Sequence, residues 1–156
     1  MPEIRQIPPT EWRKVRPLAV ELVRGHRDGH ITRKAFAHVQ QLRGRSLENP
    51  GNVVWSAWDK RKLVGIMIFE RYGNRTSMVV VHRDYRGQGI SRDMMLQAVR
   101  QMGRFYAEIA SDNLSSLRSV FWAGMVAYDV FVRRGKVTLR VRNGFDPAKM
   151  PVDSRG

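Results

Sequence analysis

The spacing of apolar positions changes along the chain. Glu3 to Ile7 alternates apolar and polar residues, which predicts a short strand. Pro8, Pro9 and Thr10 break it, with Thr10 placed to cap a helix. From Glu11 to about Arg24 an apolar stripe of Val15, Leu18, Leu22 and Val23 predicts that helix, and Pro17 inside it predicts a kink or a division. Gly25, Gly29 and His30 read as a loop. Phe36, Val39 and Leu42 predict a second helix from Thr32 to about Leu42, and Gly44 to Gly51 is a turn-rich connection. Val53 to Trp58, Leu63 to Arg71 and Thr76 to His82 are rich in β-branched and aromatic residues. Turn residues at 59–62 and 72–75 separate them, which predicts a three-stranded antiparallel meander. Helical spacing returns at Ile90, Met94, Met95, Ala98, Val99 and Met102, a helix from Ser91 closed by Gly103. Phe105 to Ala110 reads as a strand. Ser111, Asp112 and Asn113 offer caps to a helix from Leu114 to Ala123. Val126 to Val132 and Lys136 to Val141 form a hairpin around Arg133, Arg134 and Gly135, and the residues from Asn143 read as a loose tail. Seven strands and four helices, without a repeat or linker, predict one α+β domain over residues 1–156.

Composition narrows the class. The chain has 156 residues, 42% apolar and 27% charged, the profile of a globular protein rather than a disordered one. A chain this long buries roughly 70% of its unfolded surface, so it folds without a metal or disulfide. No run of 18 apolar residues exists, and the opening residues lack the pattern of a secretory signal, so no membrane partner is expected. Cysteine is absent, which excludes disulfides, zinc–cysteine sites and thiol catalysis and fits a reducing compartment; a cytoplasmic location is the expectation. His26, His30 and His38 form no metal spacing with a carboxylate pair, so no metal is expected. Trp12, Trp55, Trp58 and Trp122 read as core or cleft lining.

Charge changes the picture. Lys and Arg total 28 against 14 Asp and Glu, a net of +14. Such a field draws polyanions: nucleic acid, an acidic partner or a phosphorylated cofactor. Arg13, Lys14 and Arg16, with Arg24 and Arg27, suit either a nucleic-acid face or a solvated helix face.

One segment joins these signals. The strand ending Val79-Val80-Val81-His82 leads to Arg86-Gly87-Gln88-Gly89-Ile90-Ser91 and then to an amphipathic helix. Two glycines let the backbone turn tightly and come close to a ligand. The first amides of the helix are unpaired and its dipole favours an anion, while Arg86 adds a full charge. Strand, glycine loop and helix together make a cradle for pyrophosphate.

The stretch Val81-His82-Arg83-Asp84-Tyr85-Arg86-Gly87-Gln88-Gly89-Ile90-Ser91 resembles motif A of the GNAT superfamily of N-acyltransferases. Arg86 fills the first position of that motif and Gly89 its central glycine; Ser91 stands where Gly or Ala is usual. The strand and helix order from Glu3 to about Val141 resembles the same family. The resemblance implies a GNAT-like fold, a mixed, mostly antiparallel seven-stranded sheet flanked by about four helices. It implies acetyl-CoA as co-substrate, with Arg86, Gly87, Gln88, Gly89, Ile90 and Ser91 at the pyrophosphate. It implies that Val79 and Val81 pair with the pantetheine arm where the fourth and fifth strands splay apart. Asn113, opening the fourth helix, matches a family residue on the cofactor side and also reads as a plain helix cap.

The chemistry implied is acetyl transfer to an amine, with a base to deprotonate the acceptor and an acid for the leaving thiolate. Here the chain departs from the family. The family tyrosine seven residues after the asparagine is replaced by Val120, and Arg75 to His82 contains no carboxylate. Glu70, His82 and Tyr128 are the candidate replacements, with Tyr106 and Glu108 beside them. Two classes of function remain. One is an N-acetyltransferase for a small amine or a macromolecule, its acceptor tilted by the basic field toward anionic molecules such as charged tRNA or an acidic protein surface. The other is a catalytically silent binding or structural protein on this fold, basic enough for nucleic acid and conceivably associated with phage or assembly. A homodimer is compatible with either.

Overall fold

The computed structural model describes residues 1–27 and 31–144. Strand β1, Glu3–Gln6, pairs with β2, Val53–Asp59; β2 pairs with β3, Lys62–Glu70; and β3 pairs with β4, Thr76–Val81. These four form one sheet in that order. Strands β5, Tyr106–Ala110, β6, Met125–Arg133, and β7, Lys136–Asn143, form a second in the order β5-β7-β6. Every ladder is antiparallel.

The single mixed seven-stranded sheet expected from the sequence is corrected to four strands plus three. Among the described residues no ladder joins β4 to β5. The two sheets meet closely at the β3–β4 turn. Phe69, near the end of β3, packs on Phe105 with ring centroids 4.4 Å apart. The β3–β4 turn presses on the start of β5, where a Cβ on Gly73 would lie 1.7 Å from the Tyr106 carbonyl oxygen. Only glycine fits there. The same turn holds Arg71 and Tyr72 at φ of 50° and 59°, a costly conformation that persists because Asn52 Oδ1 accepts from the Arg71 amide and Gly51 O from the Tyr72 amide. From this fixed corner β4 and β5 diverge.

Helices cover both faces of the four-stranded sheet, which is why β2 and β3 read as near-continuous apolar runs. On one face Val54, Ile66, Ile68 and Val80 pack on Trp12, Ala19 and Val23 of α1, Pro9–His26, and on Val39 of α2, Arg33–Gln41. On the other, Val64, Met67 and Phe69 pack on Met94, Met95 and Ala98 of α3, Ile90–Met102. Ala107, Ile109 and Val141 of the second sheet share this core with Val120 of α4, Leu114–Trp122. The opposite face of the three-stranded sheet carries Glu108, Asp129 and Arg140, joined by ion pairs at 3.2 Å.

Some local expectations need correction. Pro8 precedes α1 as its cap and Pro9 opens it, so Thr10 lies inside the helix. Pro17 neither divides nor ends α1. Pro17 and Arg13, whose carbonyl loses its partner, are both exposed, so water satisfies the missing bond. Gly25 belongs to α1, while the loop read at Gly29 and His30 lies outside the described residues. The connection after α2 contains a 3₁₀ turn at Gly44–Glu48. Asn143 ends β7 rather than opening a tail, and its Oδ1 accepts from the Phe105 amide at 3.1 Å; residues 145–156 lie outside the description. No helix among the described residues is long and apolar enough to cross a membrane.

Candidate functional site

A cleft of about 1290 Å³ opens where β4 and β5 part. One wall is the free edge of β4. The His82 amide donates to Val64 O, which puts Thr76, Met78 and Val80 in the phase bonded to β3. Ser77, Val79 and Val81 therefore turn their N–H and C=O groups toward the gap. The Val81 carbonyl accepts from Arg86 Nε at 3.1 Å. Val79 is half-buried and lines the cleft, and among the described residues no strand completes its bonding.

The glycine loop closes one end of the cleft. Gly87 and Gly89 both have φ of 79°, and a Cβ on Gly87 would meet nothing within 4 Å, so the space over the loop is open. Gly89 precedes α3 without a side-chain cap, which leaves the first-turn amides, those of Ile90 and Ser91 among them, for an anion. Ile90 offers only its backbone, since its side chain is buried in the core; Gln88 is exposed and does not line the cleft. Arg92 and Arg118 line this end, Arg92 with its guanidinium 5.9 Å from the Trp122 ring centre. Arg86 is engaged differently. Its Nη2 donates to His26 O at 2.5 Å, and Arg83 Nη2 donates to Gly25 O at 3.0 Å. Two guanidiniums thus sit on the last carbonyls of α1 and fasten the loop to that helix. This end suits a phosphate with an extended, amide-bearing arm running along β4.

At the other end α2 meets the start of β4. Glu70 closes β3, and its carboxylate, 3% exposed, accepts from Thr76 Oγ1 at 2.9 Å and is hydrogen-bonded to His38 Nε2 through the same oxygen. His38 is 30% exposed and lines the cleft. Its Nδ1 has no partner among the described residues. Lys34, one turn earlier on α2, and Arg75, just before β4, also line this end, and neither side chain has a partner among the described residues.

Of the remaining candidates Glu108 and Asn113 line the cleft, and His82, Tyr106 and Tyr128 do not. His82 does not line the cleft: its ring stacks on His26 with centroids 3.9 Å apart, and its Nδ1 accepts from the Asp84 amide at 3.1 Å. His26 lines the cleft with its Nδ1 accepting from the Arg83 amide. Burial, followed by the nearby His82, Arg83 and Arg86, holds the His26 imidazole below its ordinary range. Tyr128 is the extra residue in the bulge of β6, beneath the Arg142 guanidinium and outside the main cleft; with Tyr106 it borders a separate pocket of about 40 Å³. Glu108 lines the cleft, held by Arg133 and by Arg140 at 3.2 Å. Asn113 caps α4 by accepting from the Ser116 amide at 3.3 Å, and it too lines the cleft. Val120 is buried, so α4 offers the hydroxyls of Ser116 and Ser119 where the family has a phenol.

In the sequence His38 stands out only as a histidine without metal-ligand spacing, so it is missed as a site residue. A signal was present: Lys34, Ala35, His38 and Gln41 form a second stripe beside the apolar face of Phe36 and Val39. Among the described residues no cluster of His, Asp and Glu suits a metal ion.

The fold has solved counterparts. Similar structures include an acetyltransferase of the GNAT family from Streptococcus pneumoniae, 12% identical, with a TM-score of 0.67 over 92% of this chain and 99% of that one. The ribosomal-protein-S5-alanine acetyltransferase from Vibrio fischeri is 14% identical, with a TM-score of 0.68 over 94% of each chain. A phosphinothricin acetyltransferase from Sinorhizobium meliloti, in complex with acetyl-CoA, is 17% identical, with a TM-score of 0.65 over 98% of this chain and 94% of that one. No curated protein matches the chain by sequence. Residues 23–113, from the end of α1 to the cap of α4 and more than half of the chain, match the acetyltransferase (GNAT) domain, and the chain belongs to that family.

Proposed function

We propose that this protein transfers an acetyl group from acetyl-CoA to a primary amine on an acceptor that also carries an anionic group. The observation that carries the reading is the unpaired edge of β4: Val79 holds N–H and C=O groups toward the cleft, next to a glycine loop with uncapped amides. Those groups fit acetyl-CoA, which supplies the acetyl group as an activated thioester. The amides of Gly87 to Ser91 take its pyrophosphate, Arg92 and Arg118 add charge beside it, and the β4 edge orients the arm.

The acceptor class follows from charge. Lys34 and Arg75 stand at the far end without acidic partners among the described residues, and Glu108 is taken up by Arg133 and Arg140. A polyamine would meet like charge there, whereas a carboxylate or phosphate beside the reacting amine is held by both cations.

The chain has no cysteine, so a thiol-reactive dye reads only coenzyme A set free. At a hundred times its dissociation constant acetyl-CoA stabilises the fold by about 2.7 kcal/mol in a denaturation assay. Thiol release is then faster with amino acids, aminophosphonates or peptides with acidic N-terminal segments than with spermidine. Spermidine as the better acceptor reverses the acceptor assignment; a fold indifferent to acetyl-CoA removes the transfer reading.

A further inference from the structure

We propose that His38 is the base that takes the acceptor's proton, and that Glu70 is the residue that positions it; this deepens the transfer reading above and rests on it. The two lie 32 residues apart, one on α2 and one at the end of β3, on the sheet face that α1 and α2 cover. A carboxylate only accepts hydrogen bonds, so the pairing puts a proton on His38 Nε2 and leaves a lone pair on Nδ1. The Thr76 hydroxyl fixes the same carboxylate oxygen. Buried carboxylate, imidazole and open cleft are thus aligned so that one group sets the tautomer and the next moves the proton, the division of labour of a catalytic triad.

Among the described residues the other imidazoles, His26 and His82, cannot serve. Nδ1 of His26 and of His82 each accept a backbone amide, and His82 lies off the cleft. Lys34, one turn before His38 on α2, and Arg75, next to Thr76, bring positive charge to the same end of the cleft and lower the cost of deprotonating an ammonium there. His38 Nδ1 takes one proton from the acceptor ammonium and passes it to solvent. The freed nitrogen lone pair forms the C–N bond as the C–S bond breaks, and the second proton of that nitrogen goes to the departing sulfur. The balance is one amide, one thiol and one proton released.

The test begins on the free protein. Ring nitrogen shifts of neutral His38 show Nε2 protonated and Nδ1 bare, and the Nε2 proton gives a downfield, slowly exchanging resonance. Glu70→Leu, an apolar replacement at a buried position, removes that resonance. A proton on Nδ1, or a resonance that survives Glu70→Leu, overturns the pairing. His38→Ala lowers kcat by about a hundredfold with KM for acetyl-CoA unchanged. His38→Gln, which keeps a donor for Glu70, shows the same loss in a chain of native stability. Wild-type kcat in either folded variant overturns the assignment of the base. If the wild type does not bind acetyl-CoA, the transfer reading has failed instead, and the ring resonances tell that failure from this one.

Discussion

At the loop end of the cleft the ligand-facing groups belong to the main chain; at the α2 end they belong to side chains. Gly87, Gly89 and the first amides of α3 are placed by backbone conformation, which one short segment sets by itself. Lys34, His38, Glu70 and Arg75 are placed by the packing of α2 on the sheet and by a strained turn. The first arrangement tolerates change in most side chains provided the glycines stay. The second depends on the corner beside it, the contact of Phe69 with Phe105 and of Gly73 with β5. An acetyltransferase fold can therefore hold one end constant while the other drifts toward a new acceptor.

The comparison can be broken hardest at that corner. Phe105→Ala removes a fully buried ring and costs about 3–5 kcal/mol in chemical denaturation. Its effect reaches both ends, since β4 and β5 no longer diverge from a fixed point. Ser91→Glu separates the ends. A carboxylate in the first turn of α3 suits the helix dipole, so the denaturation midpoint holds or rises. The same charge repels pyrophosphate, and calorimetry shows acetyl-CoA binding weakened on the order of a hundredfold, about 2.7 kcal/mol. Unchanged binding in Ser91→Glu would mean that the loop is not the anion site.

Legibility in the sequence divides along the same line. The loop was readable because positive φ demands glycine, and a demand on residue type leaves a mark. The role of Val79 and Val81 beside an acyl-CoA arm comes from the family resemblance alone; what the register adds is that their N–H and C=O groups face away from β3. His38 was not readable as a partner of Glu70, because nothing local on α2 says where β3 will end. Pro17 misled for a related reason: its cost depends on whether the freed carbonyl meets solvent, and exposure is a tertiary fact. The division into two sheets was likewise hidden, since the contact of Gly73 with Tyr106 that fixes it looks like an ordinary turn glycine.

Two smaller effects sharpen the contrast. Asn113→Ala loses the α4 cap, for about 1 kcal/mol of stability in thermal or urea unfolding. Acetyl-CoA affinity falls further than that loss explains only if the side-chain amide also meets the ligand. The last effect is pH. His26 is held below its ordinary value in the fold, so the unfolded chain takes up its proton first as pH falls through about 6.5. Stability from this group is intact above that range, declines as pH drops toward the lowered value, and then levels. Urea midpoints at about pH 7.5 and about pH 5.5 record the decline, and His26→Gln removes part of it.

The fastening of Arg83 and Arg86 to the end of α1 has a consequence for binding. Whatever stills the glycine loop also stills the end of α1. Coupling of this kind is reciprocal, so each substrate tightens the hold on the other. Arg83→Gln, which frees the Gly25 carbonyl, lessens this mutual enhancement, read as the ratio of acceptor affinities with and without coenzyme A.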